Sequence, residues 1–315
     1  MQLDILCLGE AMVEFNQTGG RGSDQFLRGF GGDTSNCAIA AARQGAKVGY
    51  CTLLGRDPFG ELLLDLWRQE GVATDGVGLH DSAPTAIYFV SHTEKGHAFT
   101  YYRHDSAASR ITLADLPAGL LENTKTLHAS GISLAVSRNM RETVMGAIAI
   151  MRKAGRKVSF DTNLRLKLWS LEEARKAIDA ALGLCDIALP SLEDSTALTG
   201  LSDPLAITDL YRNRGVPLVA LKCGAEGVVL ADDQGRWRIA GHEVQSVDAT
   251  GAGDCFDGAF LAELARGASP LEAAAYANAA AALTTIGYGA VAPIPRRAAV
   301  EAFFRSMGRA EPQPV

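Results

Sequence analysis

Short apolar runs at residues 4–8, 47–53, 126–129, 157–161, 186–189 and 218–222 predict strands buried on both faces. Between them, apolar residues recur at helical spacing over 34–44, 59–70, 138–154, 171–182, 192–198 and 204–214. Gly45 and Gly71 stand where the first two of these helices should stop. Segments 228–231 and 237–239 read as a hairpin joined by D-D-Q-G-R. Three Ala-rich helices are expected near 252–266, 270–286 and 295–304.

Repeated strand–helix alternation implies an α/β fold: a mainly parallel central sheet with helices on both faces, three layers in all. Residues 1–315 read as one domain. Two stretches break the rhythm. Residues 12–28 hold short alternating segments, and 83–103 hold A-I-Y-F-V-S-H and H-A-F-T-Y-Y-R joined by a T-E-K-G turn. Such an inserted β segment is expected to act as a lid or an oligomer edge. The tail R-A-E-P-Q-P-V is expected to fray.

Composition narrows the function classes. With 47% hydrophobic residues in 315, the chain can bury a large core without disulfides. A net charge of −6 argues against nucleic acid or an anionic membrane as main partner. The six cysteines form no C-x-x-C pair and no zinc spacing. The opening M-Q-L-D-I-L-C-L-G-E has no basic leader and reads directly as a strand, and no apolar run approaches the ~20 residues of a membrane span. A reduced, cytoplasmic protein is expected.

The chemistry concentrates in Asp248-Ala249-Thr250-Gly251-Ala252-Gly253-Asp254, between a strand-like segment and an apolar helix. Small residues let backbone N–H groups at a helix start close around an anion, as a transferring phosphoryl group requires. Asp254, in the first helical turn, is expected to stay ionised there and to accept the proton of an attacking hydroxyl. A Gly-containing loop with an Asp near a helix start also fits these residues. The loop is not a Walker A motif, and no G-x-G-x-x-G follows the first strand, which disfavours a dinucleotide site.

This segment resembles the second signature of the ribokinase-like (PfkB) carbohydrate kinases. Gly31-Gly32-Asp33-Thr34-Ser35-Asn36 resembles the first, and the resemblance covers nearly the whole chain. It implies a ribokinase-like fold with a small β lid and transfer of phosphate from MgATP to a sugar hydroxyl. Asp254 would be the general base, with Gly251, Ala252 and Gly253 as the anion hole. A monovalent cation is a further option, and the exposed edge of the lid hairpin is expected to pair with a second copy.

On the nucleotide side, Lys222-Cys223-Gly224-Ala225-Glu226-Gly227 resembles the family's nucleotide loop, although alone it is also a plain turn. Asn278 would border the adenine pocket, and Asn163 and Arg165 would lie near the phosphates. Many relatives carry N-x-x-E near magnesium; here the stretch is Ser191-Leu192-Glu193-Asp194, leaving Asp194 to act through metal-bound water.

On the sugar side, Gly31, Gly32 and Asn36 enter a helix where backbone and amide groups can face hydroxyls. Alternation places Phe99, Tyr101 and Arg103 on one face of the hairpin and Tyr102 on the other. The motifs G-G-D-T-S-N, F-T-Y-Y-R and F-D-T-N-L-R-L-K-L-W are most similar to those of 2-keto-3-deoxygluconate kinases, which hold the acid sugar with residues matching Tyr88, Tyr101, Tyr102, Arg103 and Arg165. A guanidinium suits the sugar's carboxylate, so Arg103 is expected to matter more for an acidic sugar than a neutral one. The resulting expectation is phosphorylation of 2-keto-3-deoxygluconate to its 6-phosphate. Fructokinase activity, another sugar kinase activity and a non-catalytic sugar-binding role remain as alternatives.

Overall fold

The computed structural model describes residues 2–94, 96–308 and 310–315; Lys95 of the T-E-K-G turn and Arg309 of the tail lie outside them. The chain runs β1 (Leu3–Leu8), β2 (Met12–Gln17), β3 (Phe26–Gly31), α1 (Asp33–Arg43), β4 (Val48–Gly55), α2 (Pro58–Gln69) and β5 (Ala73–His80). Then come β6 (Ile87–Thr93), β7 (Gly96–Tyr102), β8 (Thr124–Ser130), α3 (Gly131–Ala135), α4 (Arg138–Lys153), β9 (Lys157–Asp161) and α5 (Leu171–Leu182). The remainder is β10 (Ile187–Ala188), α6 (Leu192–Thr199), α7 (Pro204–Asn213), β11 (Leu218–Lys222), β12 (Val228–Asp232), β13 (Gly235–Ile239), α8 (Ala252–Arg266), α9 (Pro270–Thr284), α10 (Arg297–Met307) and β14 (Gln313–Pro314).

Ten strands form the main sheet in the order β14-β13-β12-β11-β10-β9-β8-β1-β4-β5. From β5 to β11 neighbours are parallel, and β11 to β14 are antiparallel. Its apolar strands bury both faces. In β1, Ile5 and Cys7 join one core with α1, α8 and α9, while Leu6 and Leu8 join the other with α4, α5 and α7. This is the expected three-layer α/β fold.

Two features differ from the sequence reading. Strand β5 was not expected, because A-T-D-G-V-G-L-H lacks a clean alternation. Its glycines are explained by packing: a Cβ at Gly76 would lie 2.7 Å from the Tyr50 carbonyl, and one at Gly78 would strike Leu53. The tail does not simply fray, either. Pro314 and Gln313 register with Trp237 and Arg238, and Val315 N–H donates to the Arg236 carbonyl at 3.0 Å. Prolines are tolerated there because β14 is an edge strand.

The two interruptions build a second sheet, β3-β2-β6-β7, in which β2 and β6 run parallel while the outer pairs are antiparallel. Both excursions leave the main sheet from the C-terminal ends of parallel strands, β1 and β5. The second sheet therefore stands over that end. From β1 the chain order moves one way to β4 and β5, then the other way through β8, β9 and β10. The β1/β8 boundary is thus a switch point, where open parallel sheets form a crevice. Among the described residues no helix is long and apolar enough to cross a membrane.

Candidate active site

The crevice is built on a close helix pair. Helices α1 and α8 touch where Gly258 faces Cys37 and Ala40; a Cβ at Gly258 would clash with the Cys37 carbonyl and lie 2.7 Å from the Ala40 Cβ. Small residues on both helices thus set their spacing. One turn before Gly258 stands Asp254, and one residue before Cys37 stands Asn36. Asn36 Nδ2 consequently donates to Asp254 Oδ2 at 2.8 Å.

Helix α8 starts from Gly251, which adopts the left-handed conformation at φ 76° and offers no side-chain cap. A Cβ there would lie 2.7 Å from the Ala290 carbonyl. Ala252 N–H donates to the Ala249 carbonyl at 3.2 Å, which leaves the first-turn N–H groups of Gly253 and Asp254 for an anion. Asp248 braces the approach. Its Oδ1 accepts from Thr250 N–H at 2.9 Å, and its Oδ2 from Gly289 N–H at 2.9 Å.

Burial pushes the Asp254 carboxyl up, and the charges of Asp33 and Asp161 add to it. The Asn36 bond and Lys222 pull it back, leaving it at about 7. The sequence reading expected an ionised carboxylate held by the helix terminus. Desolvation and like charge outweigh that terminus, and the group is poised near neutrality instead.

Beside it, Asp33 follows Gly32, whose φ of 105° and contact with the Glu10 carbonyl exclude a side chain. Asp33 accepts from the Ser130 hydroxyl and from Asn163 Nδ2 at 3.2 Å. Asn163 itself takes a left-handed φ of 26° at the end of β9. Three buried polar atoms, Asp33 Oδ1, Asn36 Oδ1 and Thr162 Oγ1, have no protein partner and lie in segments that converge on this crevice. Unsatisfied buried groups of this kind call for a polar ligand.

The second sheet supplies a wall. The Tyr88 hydroxyl donates to Glu14 and lies 2.5 Å from where a Gly31 Cβ would stand. Tyr88 stacks on Tyr101 at 5.5 Å between ring centres. Tyr102 is not brought to this face: it packs edge-on against Phe89 across the sheet and is 62% exposed. Strand alternation forces this separation.

Arg103 is also committed elsewhere. Its Nη2 pairs with buried Glu10 Oε2 at 2.6 Å, and Ser106 donates to the other Glu10 oxygen. Arg165 is freer. Its Nη1 donates to the neighbouring Leu164 carbonyl, Asp194 stands 4.0 Å away, and its side chain is 55% exposed. Its charge acts on the Tyr101 hydroxyl, which places it beside the same wall.

On the nucleotide side, Gly224 has φ 59° and open space where a side chain would be. Gly227 has φ 97° and is pressed against residues 239–241. The Asn278 amide donates to the Ala240 carbonyl at 2.6 Å, so it buttresses this turn from behind. Asp194 is capped by Ser191, whose hydroxyl accepts its N–H at 3.1 Å. Lys222 turns away from the glycine turn, with Nζ 3.1 Å from Asp161 and 2.8 Å from Asp257.

The structure therefore gathers Gly31, Gly32, Asn36, Tyr88, Asn163 and the Gly251–Asp254 segment around one crevice, with Tyr101 and Arg165 at its wall. Sequence reasoning passed over Glu10, Glu14, Asp33, Ser130 and Asp161. Asp33 lay inside a quoted motif, but its acid group was not singled out. Asp161 likewise lay inside the quoted F-D-T-N-L-R stretch; Glu10, Glu14 and Ser130 carry no local signal, since their partners are distant in the chain.

Comparison with known proteins agrees with this geometry. The family model described as "pfkB family carbohydrate kinase" matches residues 2–297. The chain is 33% identical to 2-dehydro-3-deoxygluconokinase of Bacillus subtilis over 310 residues, covering 96% of each. It is equally 33% identical to fructokinase-2 of Solanum lycopersicum, covering 92% of this chain and 93% of that one. The crystal structure of Xylella fastidiosa fructokinase with bound ATP superposes with a TM-score of 0.88 at 26% identity, covering 96% and 98% of the two chains. With a crevice of this composition and a match over almost its whole length, the chain belongs to the pfkB family of carbohydrate kinases.

Proposed function

We propose that the protein transfers the γ-phosphate of MgATP to a hydroxyl of 2-keto-3-deoxygluconate (2-dehydro-3-deoxygluconate), forming the 6-phosphate. The observation that carries phosphoryl transfer is the Asn36–Asp254 bond. It holds a carboxylate poised at about pH 7 beside the uncapped start of α8. As the hydroxyl oxygen bonds to phosphorus and the bond to ADP breaks, the proton passes to Asp254. The Gly251–Gly253 backbone receives the charge that builds on the phosphoryl oxygens.

The remaining residues take supporting roles. Asp33, Asn36 and the Gly31–Gly32 backbone face sugar hydroxyls, with Tyr88 and Tyr101 against the sugar's carbon skeleton. ATP approaches over the Gly224–Gly227 turn. Among the described residues no three His, Cys, Asp or Glu side chains come together to hold a metal. A magnesium would be carried in on ATP, with Asp194 as the residue to hold it through water. The second sheet serves as a lid on a single domain, excluding water that would otherwise compete with the sugar.

For the acid sugar, Arg165 is the better carboxylate ligand, because Arg103 is already paired with Glu10. That same occupation favours a second reading. A neutral sugar such as fructose needs no guanidinium, and a fructokinase stands among equally similar relatives. Sugar-dependent ADP release, measured with 2-keto-3-deoxygluconate, fructose and ribose, separates the readings. Faster turnover of a neutral sugar overturns the acid-sugar assignment, and no sugar-dependent release overturns the kinase reading.

A further inference from the structure

The strand end of β11 carries a lysine that the nucleotide turn does not use. Lys222 Nζ sits between Asp161 at the end of β9 and Asp257 on the inner face of α8, at 3.1 and 2.8 Å. Both carboxylates are buried, and the lysine side chain is only 11% exposed. Burial works against the ammonium, but the two carboxylates outweigh it and hold it charged.

An ammonium has three N–H donors, and two are taken. A buried donor left over is costly unless a ligand meets it. Gly253 shows where it stands. Outside its chain neighbours and its own helix backbone, one atom lies within 4 Å of a Cβ built on that glycine: Lys222 Nζ, at 3.7 Å. The ammonium therefore lies against the second residue of α8, in the turn where the anion loop enters the helix. Four carboxylates, Asp33, Asp161, Asp254 and Asp257, act on one another here. A triphosphate entering such a field needs a fixed positive charge close by.

We propose that Lys222 is a catalytic residue that donates its remaining N–H to the transferring phosphoryl group, and that Asp161 and Asp257 are its positioning residues. This rests on the kinase reading above. Lys222 stays protonated throughout: the hydroxyl proton goes to Asp254, the new P–O bond forms, and ADP leaves. The arrangement also links three distant segments, β9, β11 and α8, through a single charge.

The test uses the full chain and the best sugar from the panel. Lys222→Met should lower kcat about 10²- to 10³-fold, the loss seen when a donor to a developing oxyanion is removed. The KM for the sugar should stay within about threefold, and the acid limb of the kcat/KM profile should move to higher pH, because a cation near Asp254 is gone. A folded Lys222→Met protein with kcat within about threefold of the parent overturns the proposal. Removing Lys222 alone strands two buried carboxylates, so the double variant Lys222→Met/Asp257→Asn removes the pair together. It should show the same loss, and parent-like kcat overturns the proposal equally. Asp257→Asn alone keeps the cation but frees one tether and should lower kcat about tenfold; an unchanged kcat overturns its positioning role. If the parent releases no ADP with any sugar, the kinase reading fails. If the parent is active and the lysine variants match it, only this inference fails.

Discussion

Asn36 and Asp254, 218 positions apart, share a hydrogen bond of 2.8 Å across the seam between α1 and α8. The bond keeps the carboxylate oriented in the crevice and partly offsets the burial that raises it. Replacing Asn36 by Ala should leave Asp254 harder to ionise. The acid limb of the kcat/KM profile should move upward, with kcat/KM at pH 7 reduced at least tenfold. A profile that keeps its parent position would separate the bond from the titration.

Asp254→Asn should lower kcat by about 10²- to 10⁴-fold, the usual contribution of a general base, with ATP binding nearly intact. Its effect on stability has the opposite sign. A carboxyl raised from the ordinary 3.8 to about 7 binds its proton more tightly when folded. Its contribution to stability is thus present at low pH and lost as pH climbs through that window. At pH 8 the Asn variant should melt no lower than the parent and should gain over it relative to pH 5. Paired melting curves at the two pH values check this.

In the parent enzyme, activity should fall as pH drops below about 7, with one proton taken up, because protonated Asp254 cannot accept the hydroxyl proton. A kcat/KM profile flat from pH 5 to 8 would remove Asp254 as the titrating base.

The two arginines should part company. Arg103→Ala strands buried Glu10 and should cost about 3 kcal/mol of stability, with similar losses of activity on acidic and neutral sugars. Arg165→Ala should leave the melting temperature within a few degrees and selectively harm the acidic sugar. A selective loss in Arg103→Ala would return the carboxylate to Arg103, as the sequence alone led one to expect.

Glycines in the anion loop should differ for a stated reason. Gly251→Ala forces a side chain into φ 76° and against the Ala290 carbonyl, costing about 1–3 kcal/mol and disordering the loop. Gly253→Ala meets only the Lys222 ammonium at 3.7 Å and should fold normally. Equal destabilisation in thermal melts would contradict the strain argument.

Much of this was legible in the chain. Apolar runs such as 157–161 and 218–222 marked parallel strands, because a doubly buried strand needs no alternation. Gly251 to Asp254 marked the start of α8 and the acid that meets Asn36, because a tight backbone turn needs small residues. Other features depend on contacts that no local pattern records. Strand β5 is written in glycines that make sense only against Tyr50 and Leu53. Arg103 looked available until Glu10, far upstream, was found beside it. The ionisation of Asp254 could not be read from its place in a helix, since burial decides it first, and Asp33 at the start of α1 and Asp161 at the end of β9 add their charges. Tyr102 was assigned to the opposite face by alternation, and only the resemblance drew it into the site.

The parallel pairing of β2 with β6 has a kinetic consequence. Tyr88 and Glu14 meet across 74 residues, and the intervening chain contains α1, β4, α2 and β5. Each hairpin of the second sheet can form locally, but their seam requires that long loop to close first. The wall over the crevice is therefore expected among the later structures to form in refolding. Amide protons of β6 should acquire protection after those of β1 and β4, and a chain caught before that seam closes would present its aromatic strands to other molecules.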